Sequence, residues 1–267
     1  MLRDITLGQY FPGKSIAHRA DPRTKIVLVM LFIFTLFFVR SWPSYGIMAL
    51  YLAVVIANSK IAPKLIFRGL KPLIVIIAFT GIFNLFYTPG RELVSLGPVT
   101  VTWEGVETAL FLIMRIVLLV IGSSMLTYTT APIDLTDGLE RLLSPLRRVH
   151  VPVHELAMMM SIALRFIPTL IEETDKIMSA QKARGADFES GNIIQKAKAL
   201  IPILVPLFIS AFRRADELAT AMECRCYHGG EGRTKLHVLQ YERRDYIALT
   251  IGVLVLAAVL VLRYFGI

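Results

Sequence analysis

The sequence is poor in charged residues and almost free of cysteine. Only 18% of its 267 residues are charged, whereas a soluble domain carries roughly 25%. Together with a mean hydropathy of +0.62, this scarcity indicates an integral membrane protein and excludes a disordered, collagen-like or coiled-coil chain. The two cysteines, Cys224 and Cys226, are too few for a disulfide framework and too close in sequence to bridge each other well.

Long hydrophobic runs divide the chain, because a membrane-spanning helix needs about 20 mainly apolar residues. The candidate spans are residues 26–39, 41–59, 72–90, 105–133 and 246–262. The first is short, but Lys25 and Arg40 can extend their charged ends away from the hydrocarbon. We therefore expect an all-α integral membrane protein with about five transmembrane helices.

The charge of the loops predicts the orientation, because cytoplasmic loops collect Lys and Arg. Residues 1–25 carry a net charge of +3 and residues 60–71 carry +4, whereas residues 88–104 carry −1. The first two segments are thus expected in the cytoplasm and the third outside. The expected organisation is a cytoplasmic N-terminal segment (1–25), four transmembrane helices (26–131), a cytoplasmic helical region (132–245) and a C-terminal transmembrane helix (246–267).

The large cytoplasmic region holds 16 basic and 15 acidic residues and so offers no basic surface for nucleic acid. Apolar residues at spacings of three and four predict amphipathic helices over about 154–184 and 192–225, preceded by a shorter one near 135–148. A shift of 41 residues superimposes the two long helices. It aligns Asp175 with Asp216, Ile177 with Leu218, Ala180 with Ala221 and Arg184 with Arg225.

Each long helix is expected to end just after its arginine. Gly185 can cap the first in a left-handed conformation, and Gly229 and Gly230 follow the second. A cation in the last turn of a helix interacts favourably with the helix dipole, which would explain either arginine alone. Their repetition favours a binding role, in which each arginine at a helix end binds one of two equivalent sites on a partner. Guanidinium suits this role because it is always charged and presents a planar fork of hydrogen-bond donors.

At these residues the sequence resembles a known family. Ala183-Arg184-Gly185 and Cys224-Arg225-Cys226 are similar to the paired X-Arg-X motifs of the transmembrane T component of energy-coupling factor (ECF) transporters, relatives of the cobalt-transport membrane subunit. The flanking cysteines depart from the commoner pattern, but Arg225 itself matches. Further similarity lies in Gly8-Gln9-Tyr10, His18-Arg19, Asp21-Pro22-Arg23-Thr24-Lys25, Arg165-Phe166-Ile167-Pro168, Arg214-Ala215-Asp216-Glu217, Met222-Glu223, Tyr227 and Gly229 to Thr234.

The resemblance implies a non-catalytic coupling subunit of an ABC-type importer. Its cytoplasmic coupling helices would dock on two ABC-type ATPases, which hydrolyse the ATP, and its membrane part would hold a substrate-binding S component for uptake of a vitamin or metal. The ATPase-docking residues carried over are Ala183, Arg184, Gly185, Cys224, Arg225 and Cys226. The expected partners are therefore these proteins and membrane lipid, with no nucleic acid, no cofactor and no metal. The sequence names neither the substrate nor the residues that contact the S component.

Three other motifs suggest sites that the sequence context argues against. Residues 8–15 match the phosphate-binding pattern G-x-x-x-x-G-K-[ST], but there is no room for the strand and long helix that the loop requires. His154-Glu155 begins a zinc-protease signature whose second histidine is absent, because Met158 occupies its position. Cys224, Cys226, His228 and His237 could supply zinc ligands, but their spacing favours small, mostly buried thiols.

Two other function classes fit less well. A membrane-embedded enzyme needs paired carboxylates, a histidine cluster or an activated nucleophile within its spans, and the predicted spans hold no such set. A self-contained secondary transporter or channel, the alternative reading, needs polar midplane residues and repeated spans, whereas the repeat found here is cytoplasmic. Arg115, in the fourth run, is an intramembrane charge that could serve structure, a partner helix or a substrate path.

Overall fold

A computed structural model describes residues 10–96, 99–186, 188, 192–229 and 238–265, and most of these residues are helical. The helices are α1 (Ile16–Arg19), α2 (Pro22–Phe38), α3 (Trp42–Ser59), α4 (Pro63–Leu70), α5 (Ile74–Tyr87), α6 (Trp103–Thr129), α7 (Pro132–Leu143), α8 (Val153–Ala183), α9 (Ile193–Cys224) and α10 (Arg243–Tyr264). Short 3₁₀ turns, Lys71–Leu73 and Ser144–Val149, follow α4 and α7. The all-α prediction is confirmed.

Three of the apolar helices are capped at their N-termini by polar side chains. Asp21 accepts a hydrogen bond from the Arg23 amide (2.8 Å) before α2, whose first residue is Pro22. Thr102 accepts one from the Gly105 amide (3.1 Å) before α6. A reciprocal capping box of Glu242 and Asp245 opens α10. These groups satisfy amides that have no partner inside a helix.

The chain divides into two compact units, and the first comprises Gly8–Gly138 with Leu239–Ile267. At one end of this unit, the Lys25 Nζ donates to the Thr129 carbonyl (2.9 Å), and the Asp21 amide donates to Asp245 (2.9 Å). The starts of α2 and α10 therefore lie beside the end of α6. These two helices run in one direction and α6 runs in the other.

At the opposite end of the same unit, the Tyr45 hydroxyl donates to the Phe111 carbonyl (3.0 Å), so the start of α3 meets the first half of α6. The Asn84 and Leu85 carbonyls lie against Gly105, so the end of α5 meets the start of α6. Successive long helices thus alternate in direction. Which end faces the cytoplasm stays a prediction from the loop charges.

The core of this unit lies where α2, α3 and α6 pack together. Leu36, Tyr45 and Met48 are fully buried there, and the Tyr45 ring stacks on Phe111 at 5.2 Å. Val259 of α10 is also fully buried and belongs to the same cluster. Their rings and branched side chains join helices that are far apart in sequence.

Five of the described helical segments are long and apolar enough to cross a membrane, judged by length and composition alone. They are Trp42–Ser59, Pro63–Tyr87, Trp103–Thr129, Val153–Ala183 and Arg243–Tyr264. Four correspond to predicted spans. The predicted first span falls in α2, which at 17 residues is shorter than any of the five and packs against both α6 and α10. Val153–Ala183 satisfies the same criteria, although its sequence pattern predicts an amphipathic cytoplasmic helix.

The predicted outer loop contains structure that the sequence did not reveal. Two short strands, β1 (Glu92–Leu96) and β2 (Val99–Thr102), pair antiparallel, with Leu96 opposite Val99. The following helix α6 begins directly after β2. The loop between α5 and α6 is therefore ordered as a short two-stranded sheet.

The second unit, Leu139–Val238, contains α8 and α9. Their observed bounds, Val153–Ala183 and Ile193–Cys224, agree with the predicted helices to within one residue at each end. Pro168 lies inside α8, and Pro202 and Pro206 lie inside α9. At α7, the predicted helix near 135–148 is instead an α-helix that ends at Leu143 and continues as a 3₁₀ turn.

Candidate protein-docking site

The first predicted arginine lies in a regular helix-ending motif. The Gly185 amide donates to the Lys182 carbonyl (3.0 Å), and the Ala186 amide donates to the Gln181 carbonyl (3.0 Å). These are the two hydrogen bonds of a Schellman motif, with Gly185 in the left-handed region at φ 87°. Arg184 is thus the C-cap residue of α8, and the predicted capping role of Gly185 is confirmed.

The second arginine lies in the same motif at the end of α9. The Cys226 amide donates to the Glu223 carbonyl (2.8 Å), and the Tyr227 amide donates to the Met222 carbonyl (3.0 Å). Arg225 therefore occupies the same cap position as Arg184. Both arginine side chains are exposed, and among the described residues neither guanidinium forms an ion pair.

The residue that ends α9 differs from the one suggested by sequence. Cys226 takes the left-handed conformation directly after Arg225, with φ 56°, whereas Gly229 has its positive φ of 96° only three residues later. A residue with a Cβ pays roughly 1–2 kcal/mol for this conformation, so a glycine is the residue normally sought there. The signal that identifies Cys226 is the shift of 41 residues, which aligns it with Gly185.

The cysteines beside Arg225 are both exposed, so the expectation of mostly buried thiols is wrong. Cys224 is the last residue of α9, and Cys226 is the left-handed residue that follows Arg225. Ala183 and Gly185, beside Arg184, are exposed as well. Each arginine therefore projects from a helix end whose adjacent side chains are small and uncovered.

One polar contact joins the two long helices. Glu173 of α8 accepts hydrogen bonds from the Arg214 guanidinium (2.6 Å) and from the Ser210 hydroxyl of α9. Toward the end of α8, the Gln181 amide group donates to the carbonyl of Pro202 (3.4 Å), nearer the start of α9. The two helices therefore run antiparallel past each other. Sequence reasoning missed this contact, because nothing local links residues on different helices.

The contact has a simple relation to the repeat. Glu173 and Arg214 are separated by 41 residues, as are Arg184 and Arg225. The repeat of 41 residues therefore relates the two partners of this contact to each other, and it relates the two cap arginines in the same way. Each cap arginine lies 11 residues beyond the contact, about 16 Å of helical rise. Because the helices run antiparallel, the two arginines lie on opposite sides of the contact.

An apolar stripe runs along the middle of α9, from the residue before Pro202 to the region that contacts Glu173. Its large side chains are half to two-thirds exposed in the isolated chain, and they recur every three or four residues along one helix face. They are Ile201, Leu204, Val205, Phe208, Ile209 and Phe212. An exposed apolar area of this extent is typical of a surface that contacts another protein or lipid.

The other candidate motifs form no comparable site. Of the phosphate-loop match, the described Gly13, Lys14 and Ser15 precede only the four-residue helix α1, which Ser15 caps through the His18 amide. His154 instead pairs with Glu140 (2.9 Å). Among the described residues no group of three or more His, Cys, Asp or Glu side chains is arranged to hold a metal. His237 lies outside the described residues.

Arg115 has a structural partner within the first compact unit, Gly8–Gly138 with Leu239–Ile267, which we call the membrane unit. Its Nη2 donates to the Val39 carbonyl (3.0 Å), which belongs to the residue that ends α2. A cation at the end of a helix stabilises carbonyls that have no partner in the helix. Of the roles left open by sequence, this geometry favours the structural one.

Comparison with known proteins agrees with this arrangement. A family model described as "Cobalt transport protein" matches residues 13–236, which include both arginine motifs. The chain is 52% identical to a protein of Ruminiclostridium cellulolyticum over 99% of both chains. It is 45% identical to one of Bacillus subtilis over 97% of this chain and 98% of the relative. A protein of Clostridium kluyveri is 54% identical over 93% of each chain.

All three relatives carry the name energy-coupling factor transporter transmembrane protein EcfT. The family match covers most of the chain, and the similarity to these relatives extends over nearly the full length of each. The chain therefore belongs to the cobalt transport protein family, among the transmembrane components of energy-coupling factor transporters.

Proposed function

We propose that this chain is the non-catalytic coupling subunit of an ECF-type ABC importer, with Arg184 and Arg225 docked on two ABC-type ATPase subunits. The observation that carries the proposal is the equivalence of the two helix ends. Two arginines in the same cap geometry lie on opposite sides of the contact between two antiparallel helices. A dimer of ATPases, with two-fold or approximate two-fold symmetry, offers two equivalent sites that match this arrangement.

The chemistry at each helix end suits such docking. Guanidinium presents planar donors to carboxylates or to carbonyls at the end of a partner helix, and it stays charged at any physiological pH. Ala183, Gly185, Cys224 and Cys226 flank the arginines with small side chains, so a narrow groove on the partner can admit the helix end. ATP hydrolysis belongs to the ATPases and not to this chain.

The two helices connect the ATPases to the membrane. Because α8 and α9 cross in contact at Glu173, a change in spacing between the two docked arginines turns one helix against the other. The exposed apolar stripe on α9 is the surface we assign to the membrane-embedded S component, which binds the vitamin or metal. Movement of the helices under that surface would reorient the S component in the membrane.

The test replaces both arginines by glutamate, Arg184→Glu with Arg225→Glu. Reversing two charges turns attraction for a carboxylate or carbonyl into repulsion, so we expect the ATPases to be lost on purification and ATP-dependent uptake to fall at least tenfold. The measurements are the ratio of co-purified ATPase to this chain and the rate of substrate uptake in cells.

The matched control is Arg147→Glu with Arg148→Glu, the same change of charge on exposed residues of the 3₁₀ turn after α7. It should retain the ATPases, and both variants should keep the elution profile of a folded membrane protein. Unaltered uptake in the Arg184/Arg225 variant would refute the docking role. Uptake by the purified chain alone, without ATPases, would instead support a secondary transporter.

A further inference from the structure

An apolar groove lies between α2, α3, α6 and α10 of the membrane unit, with a volume of about 400 Å³. Its floor is the buried ring of Phe32, which stacks on Tyr51 at 5.9 Å. Gly122 leaves room for this ring, because a Cβ at that position would overlap it. Met125 of α6 and Ile251 of α10 contribute to the walls.

The groove has a polar end, at the side where α2 and α10 begin and α6 ends. The charged residues among those lining it are Lys25 and Arg244, and both are cations. The nearby carboxylates are engaged elsewhere: Asp21 binds Arg23 (2.7 Å), and Asp245 accepts from the amides of Asp21 and Glu242. Asp134 also acts electrostatically on Lys25, but none of these carboxylates lines the groove, so the charged groups that face it are the two cations.

Both cations keep donors that no other described residue uses. Lys25 is buried and donates to the carbonyls of His18 and Thr129, which employs two of the three hydrogens on its ammonium group. Arg244 pairs with Glu242 through Nη2 (2.7 Å), whereas its buried Nε has no partner within the described part of the chain. A buried donor without a partner costs free energy unless a ligand supplies an acceptor.

The rim of the groove is open to the outer surface of the helices. Val54 and Ile247, which line it, are half exposed or more. A half-open apolar groove with two cations at one end complements a molecule that has an anionic head and an apolar tail. In a membrane, basic pockets between helices at the cytoplasmic face are suited to the headgroups of anionic lipids.

We propose that this groove binds an anionic phospholipid, with the phosphate at Arg244 and Lys25 and one acyl chain along Phe32. The site is independent of the docking of ATPases, because it is formed by the membrane unit alone. It would make the stability of α2 and α10 against α6 depend on the lipid composition of the membrane.

The experiment measures lipid binding to the delipidated protein in detergent by native mass spectrometry, with phosphatidylglycerol and phosphatidylcholine as the two probes. Both lipids carry a phosphate, but only phosphatidylglycerol has a net negative charge that the two cations attract. We therefore expect the first phosphatidylglycerol to bind about tenfold more tightly than phosphatidylcholine. The variant Arg244→Gln should abolish this preference while leaving the contacts of Lys25 in place.

Two further variants control for the loss of a positive charge and for the space in the groove. Lys64→Gln removes an exposed cation on the same side of the unit, outside the groove, and should leave the preference intact. Ala248→Trp fills the groove without changing any charge and should weaken the binding of both lipids at this site.

The proposal is wrong if the two lipids bind equally to the unaltered protein, or if Lys64→Gln and Arg244→Gln reduce the preference alike. It is also wrong if neither lipid binds and a cysteine probe at Ile251 becomes protected only when an S component is present. That outcome would make a protein helix the occupant of the groove.

Discussion

At the scale of single residues, the local sequence determines the two helix ends and places a cation at each. Arg184 and Arg225 occupy the same cap position, although one is followed by glycine and the other by cysteine. The glycine accepts the left-handed conformation without cost, whereas Cys226 adopts it at the cost of some strain. The same cap geometry therefore forms whether glycine or cysteine follows the arginine.

Arg115 leads to a prediction at the same scale. Replacement by methionine removes the hydrogen bond to the Val39 carbonyl and leaves that carbonyl without this donor at the end of α2. We expect Arg115→Met to lower the free energy of unfolding by about 1–3 kcal/mol, measured by thermal unfolding in detergent. Uptake per folded molecule should change little.

Arg115→Lys is the matched control, because lysine keeps a charged donor and should recover part of the lost stability. The opposite pattern, full stability with abolished uptake, would show that Arg115 acts on a substrate path and not on the end of α2.

At the scale of the elements, α8 and α9 are linked by one carboxylate near the middle of their crossing. Glu173 contacts both Arg214 and Ser210, and it is only partly exposed. An ion pair of this exposure contributes little to stability by itself, about 0.2–1 kcal/mol. Its importance is geometric, since it sets which residues of the two helices lie opposite each other.

This geometry predicts the effect of exchanging the charges. Glu173→Arg alone places two cations in contact, so we expect ATP-dependent uptake to fall several-fold while the ATPases stay bound. Glu173→Arg combined with Arg214→Glu restores an ion pair and should recover a substantial part of the uptake. Recovery should stay incomplete, because the contact from Ser210 to the carboxylate is lost.

The control for this series is Glu172→Arg, the same charge reversal on the adjacent, exposed residue. It should leave uptake within about twofold of the unaltered protein. Equal loss in Glu172→Arg and Glu173→Arg, or no recovery in the exchanged pair, would contradict a specific role for the crossing contact.

At the scale of the whole molecule, the helix directions agree with the alternation that the loop charges require. Contacts at both ends of the membrane unit show that α2 and α10 run opposite to α6. The alternation of helix directions is compatible with either orientation of the protein in the membrane. The excess of Lys and Arg in residues 1–25 and 60–71 selects the one with these segments in the cytoplasm.

Labelling of single cysteines tests the orientation. In a background with Cys224→Ser and Cys226→Ser, which removes both native thiols, Arg91→Cys should react with an impermeant maleimide in intact cells. Lys64→Cys should react only after permeabilisation. The side chains of Arg91 and Lys64 are both exposed, so burial within the protein does not limit the reaction of the maleimide at either position. The reverse pattern would invert the assigned topology.

The long helices, their apolar or amphipathic character and the repeat that pairs Arg184 with Arg225 follow from the sequence alone. These properties depend on residues three or four positions apart and on the single residue that ends each helix, so they can be read locally. The two family motifs belong to this class. They identified the family and, through it, the expected docking residues.

Which distant residues come into contact depends on how the helices pack in the folded chain. Lys25 and Thr129 are 104 residues apart, Glu173 and Arg214 are 41 apart, and no local pattern reports either contact. The strands after α5 and the left-handed Cys226 were missed for a related reason, since pairing and packing can override what a residue prefers on its own. The proposed lipid groove could not be predicted from the sequence either, because it forms only when four helices pack together and bring two cations to one end of an apolar cavity.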